Sequence, residues 1–250
     1  MFTEREIGRA FKLELEKQKY MVSDVNQKES YTTRFKVYLN KPVQSHKLKF
    51  QKFWKSKNLD LKDLPPSQPE IDMILVDDLG IWRAIEIKVI KKTRNGLSRS
   101  YYHGLGQTLA YLSYGVDEVG LWHCFDGDSL TDKEIFEYNY ALGMIRAPIE
   151  QFVDLTNFKI SRENQQLRIK SGIIVNNEIR TWKDGVGIYQ PENRTFKWRC
   201  KSSNPFLKPF SSKGGIFYFN QNVVRKVGAV RQFIELQKTE VWDKENTNTN

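Results

Sequence analysis

The ten residues Ile81–Ile90 constrain the fold of this chain more than any other stretch. With the two-residue period of a β-strand, Trp82, Ala84, Glu86, Lys88 and Ile90 fall on one face, and Ile81, Ile85, Ile87 and Val89 fill the other. A strand that is apolar on both sides has to be covered on both sides, which makes it the centre of a layered α/β sheet. Yet this strand places a carboxylate and an ammonium among buried neighbours. Removing charges from water is costly unless they pair or bind a metal, so the strand is also the first pointer to chemistry.

The flanking segments set the frame. Ile71–Val76 is a second β-rich run, joined to the first by Asp77-Asp78-Leu79-Gly80, which is turn chemistry, so the two form a hairpin. Glu70, Asp72, Ile74 and Val76 share one of its faces. Upstream, Ile7, Ala10, Phe11 and Leu15 recur at helical spacing and predict a helix over Glu4–Tyr20. A strand is expected near Thr33–Leu39, then a basic helix over His46–Lys57 anchored by Leu48, Phe50 and Phe53, then a break at Leu64–Pro69. Downstream, a polar stretch with Asn95-Gly96 leads into a helix over Tyr101–Tyr114 stopped by Gly115. Val116–Phe125 reads as a strand and Thr131–Met144 as helical. Arg146-Ala147-Pro148 marks the expected boundary between a core, 1–148, and an extension, 149–250. The extension shows short β-runs at Ile173–Val175, Glu178–Trp182, Gly187–Tyr189 and Phe196–Arg199, a helix over Asn222–Val241 and a polar tail, Asn246–Asn250.

The hairpin suggests metal-assisted hydrolysis. Asp72 and Glu86, on adjacent strands, offer oxygen ligands to a hard divalent cation. Lys88, two residues on, points the same way and can orient a water or neutralise charge growing on a phosphate. The plainer alternative is a Glu–Lys ion pair on a partly exposed strand. On the following helix, Leu105, Leu109 and Leu112 form one stripe, while Gln107, Tyr111 and Tyr114 form another about 200° away. Leucine packing on the sheet would leave the polar-aromatic stripe outward, suited to a phosphate backbone, an unstacked base or support of a metal site, or simply solvated. Other chemistries lack their residues. His46, His103 and His123 have no zinc-ligand spacing, and Gly104-x-Gly106 lacks the third glycine of a dinucleotide loop. There is no phosphate-binding G-x-x-x-x-G-K-[ST] segment.

Pro69-Glu70-x-Asp72, thirteen intervening residues, then Glu86-Ile87-Lys88 resembles the signature of the PD-(D/E)XK nuclease superfamily. Gln107-Thr108-Leu109-Ala110-Tyr111 is similar to the Q-x-x-x-Y motif of its RecB-type, Holliday-junction-resolvase-like branch. The resemblance covers roughly residues 1–125. It implies a restriction-endonuclease-like αβββαβ core, a mixed sheet flanked by helices, carrying here a β-rich basic C-terminal extension. It implies a metal-dependent DNA endonuclease using Mg²⁺ or Mn²⁺. Asp72 and Glu86 match the metal-binding acids, the Ile87 carbonyl a further ligand, Lys88 the catalytic lysine, and Gln107 and Tyr111 the downstream motif. An acid on the first helix completes such sites; Glu6 is the expected one and Glu4 its rival. Glu70 stands where the family often has Asp, and its face makes it an auxiliary ligand. A non-catalytic nucleic-acid-binding module that kept the fold is the alternative, although loss of activity usually begins by replacing one of Asp72, Glu86 or Lys88. A third reading is a partner-binding domain that uses its basic half for RNA.

Charge agrees with a polyanionic partner: 40 Lys+Arg against 30 Asp+Glu leave +10. Residues 151–250 hold 17 basic against 9 acidic residues, including Arg168, Lys170, Arg180, Arg194, Lys197, Arg199 and Lys201. Interleaved Trp182, Tyr189, Phe196 and Trp198 could stack on bases. A second basic run, Lys41–Leu59, has six lysines and no acid. A hydrophobic content of 39% supports a real core. No apolar run approaches membrane-spanning length, and the N-terminus is charged from residue 4, so a cytoplasmic location and no membrane partner are expected. Two cysteines fit a reducing compartment. Duplex cutting by this class needs two active sites, which leaves a homodimer open.

Overall fold

The structure, a computed structural model, describes residues 2–24, 27, 29–41, 48–64, 70–94, 96–97, 102–175, 178–186, 188–190, 193–201 and 221–237. Expectations for Pro65–Pro69, His46, Tyr101 and the 246–250 tail lie outside these residues. In chain order come α1 (Glu4–Glu16), β1 (Tyr20–Asp24), β2 (Tyr31–Thr33), β3 (Lys36–Lys41), α2 (Leu48–Ser56), β4 (Ile71–Val76) and β5 (Trp82–Ile90). The small hairpin β6 (Lys92–Thr93) and β7 (Gly96–Leu97) follows, then α3 (Leu105–Ala110), β8 (Glu118–Asp126) and α4 (Asp132–Ile149). Last are β9 (Asp154–Glu163), β10 (Gln166–Val175), β11 (Glu178–Asp184), β12 (Ile188–Gln190), β13 (Asn193–Trp198) and α5 (Gln221–Leu236).

The protein is mixed α/β. Seven strands form the main sheet in the order β11-β10-β9-β8-β5-β4-β3. β3, β4 and β5 are an antiparallel meander, β8 and β9 run parallel to β5, and β10 and β11 return antiparallel. β5 is central, as its two apolar faces require. Its alternation divides the core: Ile85 and Ile87 join Ile7, Phe11 and Leu15 of α1, whereas Ala84 and Ile90 join residues of α2, α4 and α5. A four-stranded sheet, β12-β13-β1-β2, packs into the α1 layer through Tyr20, Val22, Phe196 and Trp198.

Three expectations change. The break expected at Arg146-Ala147-Pro148 lies inside α4, which runs to Ile149; Pro148, in its last turn, withholds one of the final i→i−4 bonds without ending the helix, and β9 continues the sheet from β8. The extension also supplies β13, which pairs in parallel with β1. The basic helix begins at Leu48 but is anchored by Phe50 and Trp54, while Leu48 is 63% exposed. The helix expected over 101–114 is α only from Leu105 to Ala110, then a 3₁₀ turn over Tyr111–Tyr114. That change of winding goes with an inverted face: Tyr111 and Tyr114 are buried and Leu109 is 38% exposed.

Candidate active site on the central hairpin

Ile74 stands opposite Ala84 in the β4–β5 register, so two pairs further along, on the same side of the hairpin, Asp72 and Glu86 share the face covered by α3. Both are held by neighbours. Asp72 Oδ2 accepts from the Ile87 amide at 2.8 Å. Glu86 is fully buried; its Oε2 accepts from the Tyr111 hydroxyl. Its Oε1 makes no aligned hydrogen bond and faces the Lys88 ammonium at 2.6 Å. The same ammonium lies 3.1 Å from Glu4 Oε1 on α1. Tyr111 is itself fixed: Gln107 Nε2 donates to its oxygen at 3.3 Å, and the Glu70 carbonyl lies 3.0 Å away. A phenol has one proton, so it serves either Glu86 or the Glu70 carbonyl, and the ionised carboxylate is the stronger acceptor.

Of the two acids on the first helix, Glu4 is the one that lies against the hairpin, through Lys88. Glu6 is at the third position after the N-cap Thr3. Its Oε2 accepts from the Thr3 amide at 2.9 Å while Thr3 Oγ1 accepts from the Glu6 amide at 3.2 Å, a reciprocal capping box. Glu6 Oε1 also pairs with Arg162 at 3.1 Å. The capping demand of the helix end takes Glu6 away from the hairpin, contrary to expectation. For Glu70 the structure places the backbone carbonyl, against Tyr111; for Ile87 it places the amide, on Asp72.

Electrostatics follows from burial. Asp72 is pushed up to about 7, by desolvation first and by the charge of Glu86 second, against the pull of the Ile87 amide and Lys88. Desolvation also raises Glu86, although Lys88 and Tyr111 oppose it. For Lys88 burial disfavours the charge, but the bond to Glu86 and the fields of Glu86, Glu4 and Asp72 outweigh it, so its pKa rises. Tyr111 is raised by desolvation and then by Glu86, and keeps its proton.

A buried carboxylate, Glu86, and a half-buried one, Asp72, both with raised pKa values, form an oxygen donor set short of positive charge, and Lys88 is the cation set between Glu86 and Glu4. Among the described residues no group of three or more His, Cys, Asp or Glu is placed to hold a metal ion. Mg²⁺, however, keeps much of its water shell and is commonly bound through one or two carboxylates plus substrate phosphates. Asp72 and Glu86, two carboxylates at one place on the hairpin with a single ammonium between them and Glu4, therefore fit a hard divalent cation.

Of two buried polar groups, Arg83 had no place in the sequence reading and His123 entered it only as a histidine without zinc-ligand spacing. Arg83 is fully buried, with Asp24 at 2.6 Å, Asp77 at 2.7 Å and Glu118 at 2.8 Å, and its guanidinium lies 5.4 Å from the Trp198 ring centre. Its signal was available: Arg83 is the one charge on the Ile81–Ile85–Ile87 face. His123 of β8, beside Lys88 in the register, is buried and packs edge-on to Tyr138. In the extension, Lys170 pairs with Glu163 at 2.5 Å and Lys159 with Asp132 at 2.7 Å. Phe196 and Trp198 are core rather than stacking platforms, whereas Arg168, Lys197 and Lys201 stay exposed. No helix among the described residues is long and apolar enough to cross a membrane. Compared with protein-family models, curated proteins and solved structures, the chain matches none.

Proposed function

We propose that the chain is a metal-dependent DNA endonuclease that hydrolyses phosphodiester bonds with Mg²⁺ or Mn²⁺. The observation carrying this reading is the convergence of Asp72, Glu86 and Lys88 on one buried face of the β4–β5 hairpin, with Glu4 and Tyr111 closing on them. The order of elements supports a restriction-endonuclease-like core: α1, the β3-β4-β5 meander, α3, then β8 parallel to β5.

Asp72 and Glu86 would hold the cation, which supplies an acidified water and positive charge at the phosphate. Tyr111 fixes the orientation of Glu86, and the Ile87 amide fixes that of Asp72. Lys88 brings its ammonium to the same face, placed to donate to a phosphate oxygen as charge builds there. Glu4 sets where that ammonium rests before substrate arrives. Exposed cations on α2 and the extension, such as Lys49, Lys52, Lys197 and Lys201, provide attraction for the DNA backbone.

The experiment is incubation of pure protein with plasmid, single-stranded and branched DNA, with and without Mg²⁺. Cation-dependent cutting that Asp72→Asn and Glu86→Gln abolish is the expected result. Full activity in either variant would overturn the reading. One observation favours a non-catalytic nucleic-acid-binding module as the second reading: the Lys88 ammonium already compensates Glu86 and Glu4. DNA binding without cutting under every cation would select it.

A further inference from the structure

We propose that Gly104 is a positioning residue for Lys88, its missing side chain being the seat of the lysine's aliphatic stem. Gly104 is the N-cap of α3, in the left-handed region at φ 89° and ψ −15°. A Cβ built there would stand 3.1 Å from Lys88 Cε, 3.2 Å from Lys88 Cγ and 3.1 Å from Leu121 Cδ1. Those distances are tighter than ordinary contacts between carbon atoms. Gly104 is also tied down: its carbonyl accepts from the Thr108 amide and from Thr108 Oγ1, both at 2.8 Å. The glycine thus sits at the start of the short helix that carries Gln107 and Tyr111, and presses on the lysine whose ammonium meets Glu86.

The stem is therefore held between a fixed backbone and β8. The ammonium has two carboxylates in reach, and a stem displaced by a methyl group loses one or both. Positive φ alone could explain a glycine, so the argument needs a reference position. Gly80, in the β4–β5 turn, has φ 76° and nothing within 4 Å of an added Cβ. Alanine at Gly80 carries the backbone strain without the collision.

The consequence for rate rests on the nuclease reading; the consequence for stability does not. Gly104→Ala and Gly80→Ala are each made in wild type, Lys88→Ala and Lys88→Met, and melted without metal. Gly104→Ala should lower the melting temperature more than Gly80→Ala in wild type. That excess should persist in Lys88→Met, which keeps a stem, and shrink in Lys88→Ala, which removes the stem and leaves only the Leu121 contact. If Gly104→Ala alone does not fold, recovery of folding in the double variant with Lys88→Ala has the same meaning. In single-turnover cleavage with Mg²⁺, Gly104→Ala should fall on the order of a hundredfold with KM nearly constant, while Gly80→Ala keeps its rate. An equal penalty in wild type and Lys88→Ala would assign the cost to Leu121 or to backbone strain and overturn the proposal, as would a wild-type rate for Gly104→Ala. If the wild-type protein cuts no DNA, the nuclease reading fails while the melting comparison still decides the contact.

Discussion

Tyr111→Phe isolates one hydroxyl. The ring occupies a fully buried site in the core between the main sheet and its helices, and phenylalanine fills that space with the same ring. What disappears is the proton donated to Glu86 Oε2, on a carboxylate that is fully buried. A hydrogen bond to a buried charged group contributes about 1.5–3 kcal/mol, and no water reaches the vacated position easily. Glu86 has an escape, since taking up a proton removes the unsatisfied charge, and loss of the hydroxyl pushes its already raised pKa further up. The expected net loss of unfolding free energy is thus about 2 kcal/mol near neutral pH, shrinking in acid, where Glu86 is neutral in either protein. The same protonation weakens cation binding, so the Mg²⁺ concentration for half-maximal cutting should rise and partly recover at higher pH. Urea unfolding by circular dichroism and a Mg²⁺ titration of plasmid nicking measure the two effects, with Tyr140→Phe as an exposed control. A Tyr111→Phe protein within about 0.5 kcal/mol of wild type and with an unchanged Mg²⁺ requirement would refute the role given to the hydroxyl.

Glu4→Gln should slow cleavage with little change in stability, whereas Glu6→Ala should cost about 1 kcal/mol through the lost half of the capping box and leave the rate alone; thermal melts beside single-turnover kinetics separate them. Asp72 titrates near 7 when folded against 3.8 unfolded, so its contribution to metal-free stability is full below about 4 and is lost as pH rises through 7. Asp72→Asn should accordingly gain on wild type in melting temperature over that range, and a constant difference would contradict it. His123 has the opposite sign: burial first, and then the charge of Arg146, push it down to about 4, so its contribution is present above about 6.5 and is lost as pH falls through 4. His123→Leu should remove that acid-side loss in a pH series of melts. Lys197→Glu combined with Lys201→Glu should weaken binding of all DNA sequences alike and flatten the salt dependence, read as the log–log slope of gel-shift affinity; an unchanged slope would shift the role to Lys49 and Lys52 of α2.

The hairpin was legible because two signals coincide on it: a two-residue apolar period and charges that such a strand cannot hide without a partner. Glu86 and Lys88 stand out on those grounds, and Asp72 by sharing a face with them on the adjacent strand. The choice between Glu4 and Glu6 was not legible, because both sit in the first turn and the outcome depends on Thr3, whose hydroxyl recruits the residue three positions on. The outward stripe failed for a related reason. A uniform helical angle places Tyr111 away from the sheet, but the chain tightens to 3₁₀ there and the phenol turns inward to meet a carboxylate. β9 and the first part of β10 escaped notice, leaving only Ile173–Val175 read as a strand, because their polar faces mask the period, although Asn164 and Gln165, both at positive φ, form the two-residue turn between them. Pro148 was read as a break where it only trims the end of a helix.

The pairing of β1 with β13 brings Met21 beside Thr195 and Asp24 beside Trp198. Asp24 is a partner of Arg83, and Trp198 lies under the same guanidinium, so the support beneath β5 comes from two segments that leave the ribosome far apart in time. While the later segment is still unmade, β1 has an open edge and the Arg83 cluster lacks its aromatic floor. Distant pairings of this kind form late and slowly. A growing chain therefore holds Asp72, Glu86 and Lys88 on one hairpin but no settled foundation, and the DNA cutting proposed for it should appear in one step, when the strand ending at Trp198 docks.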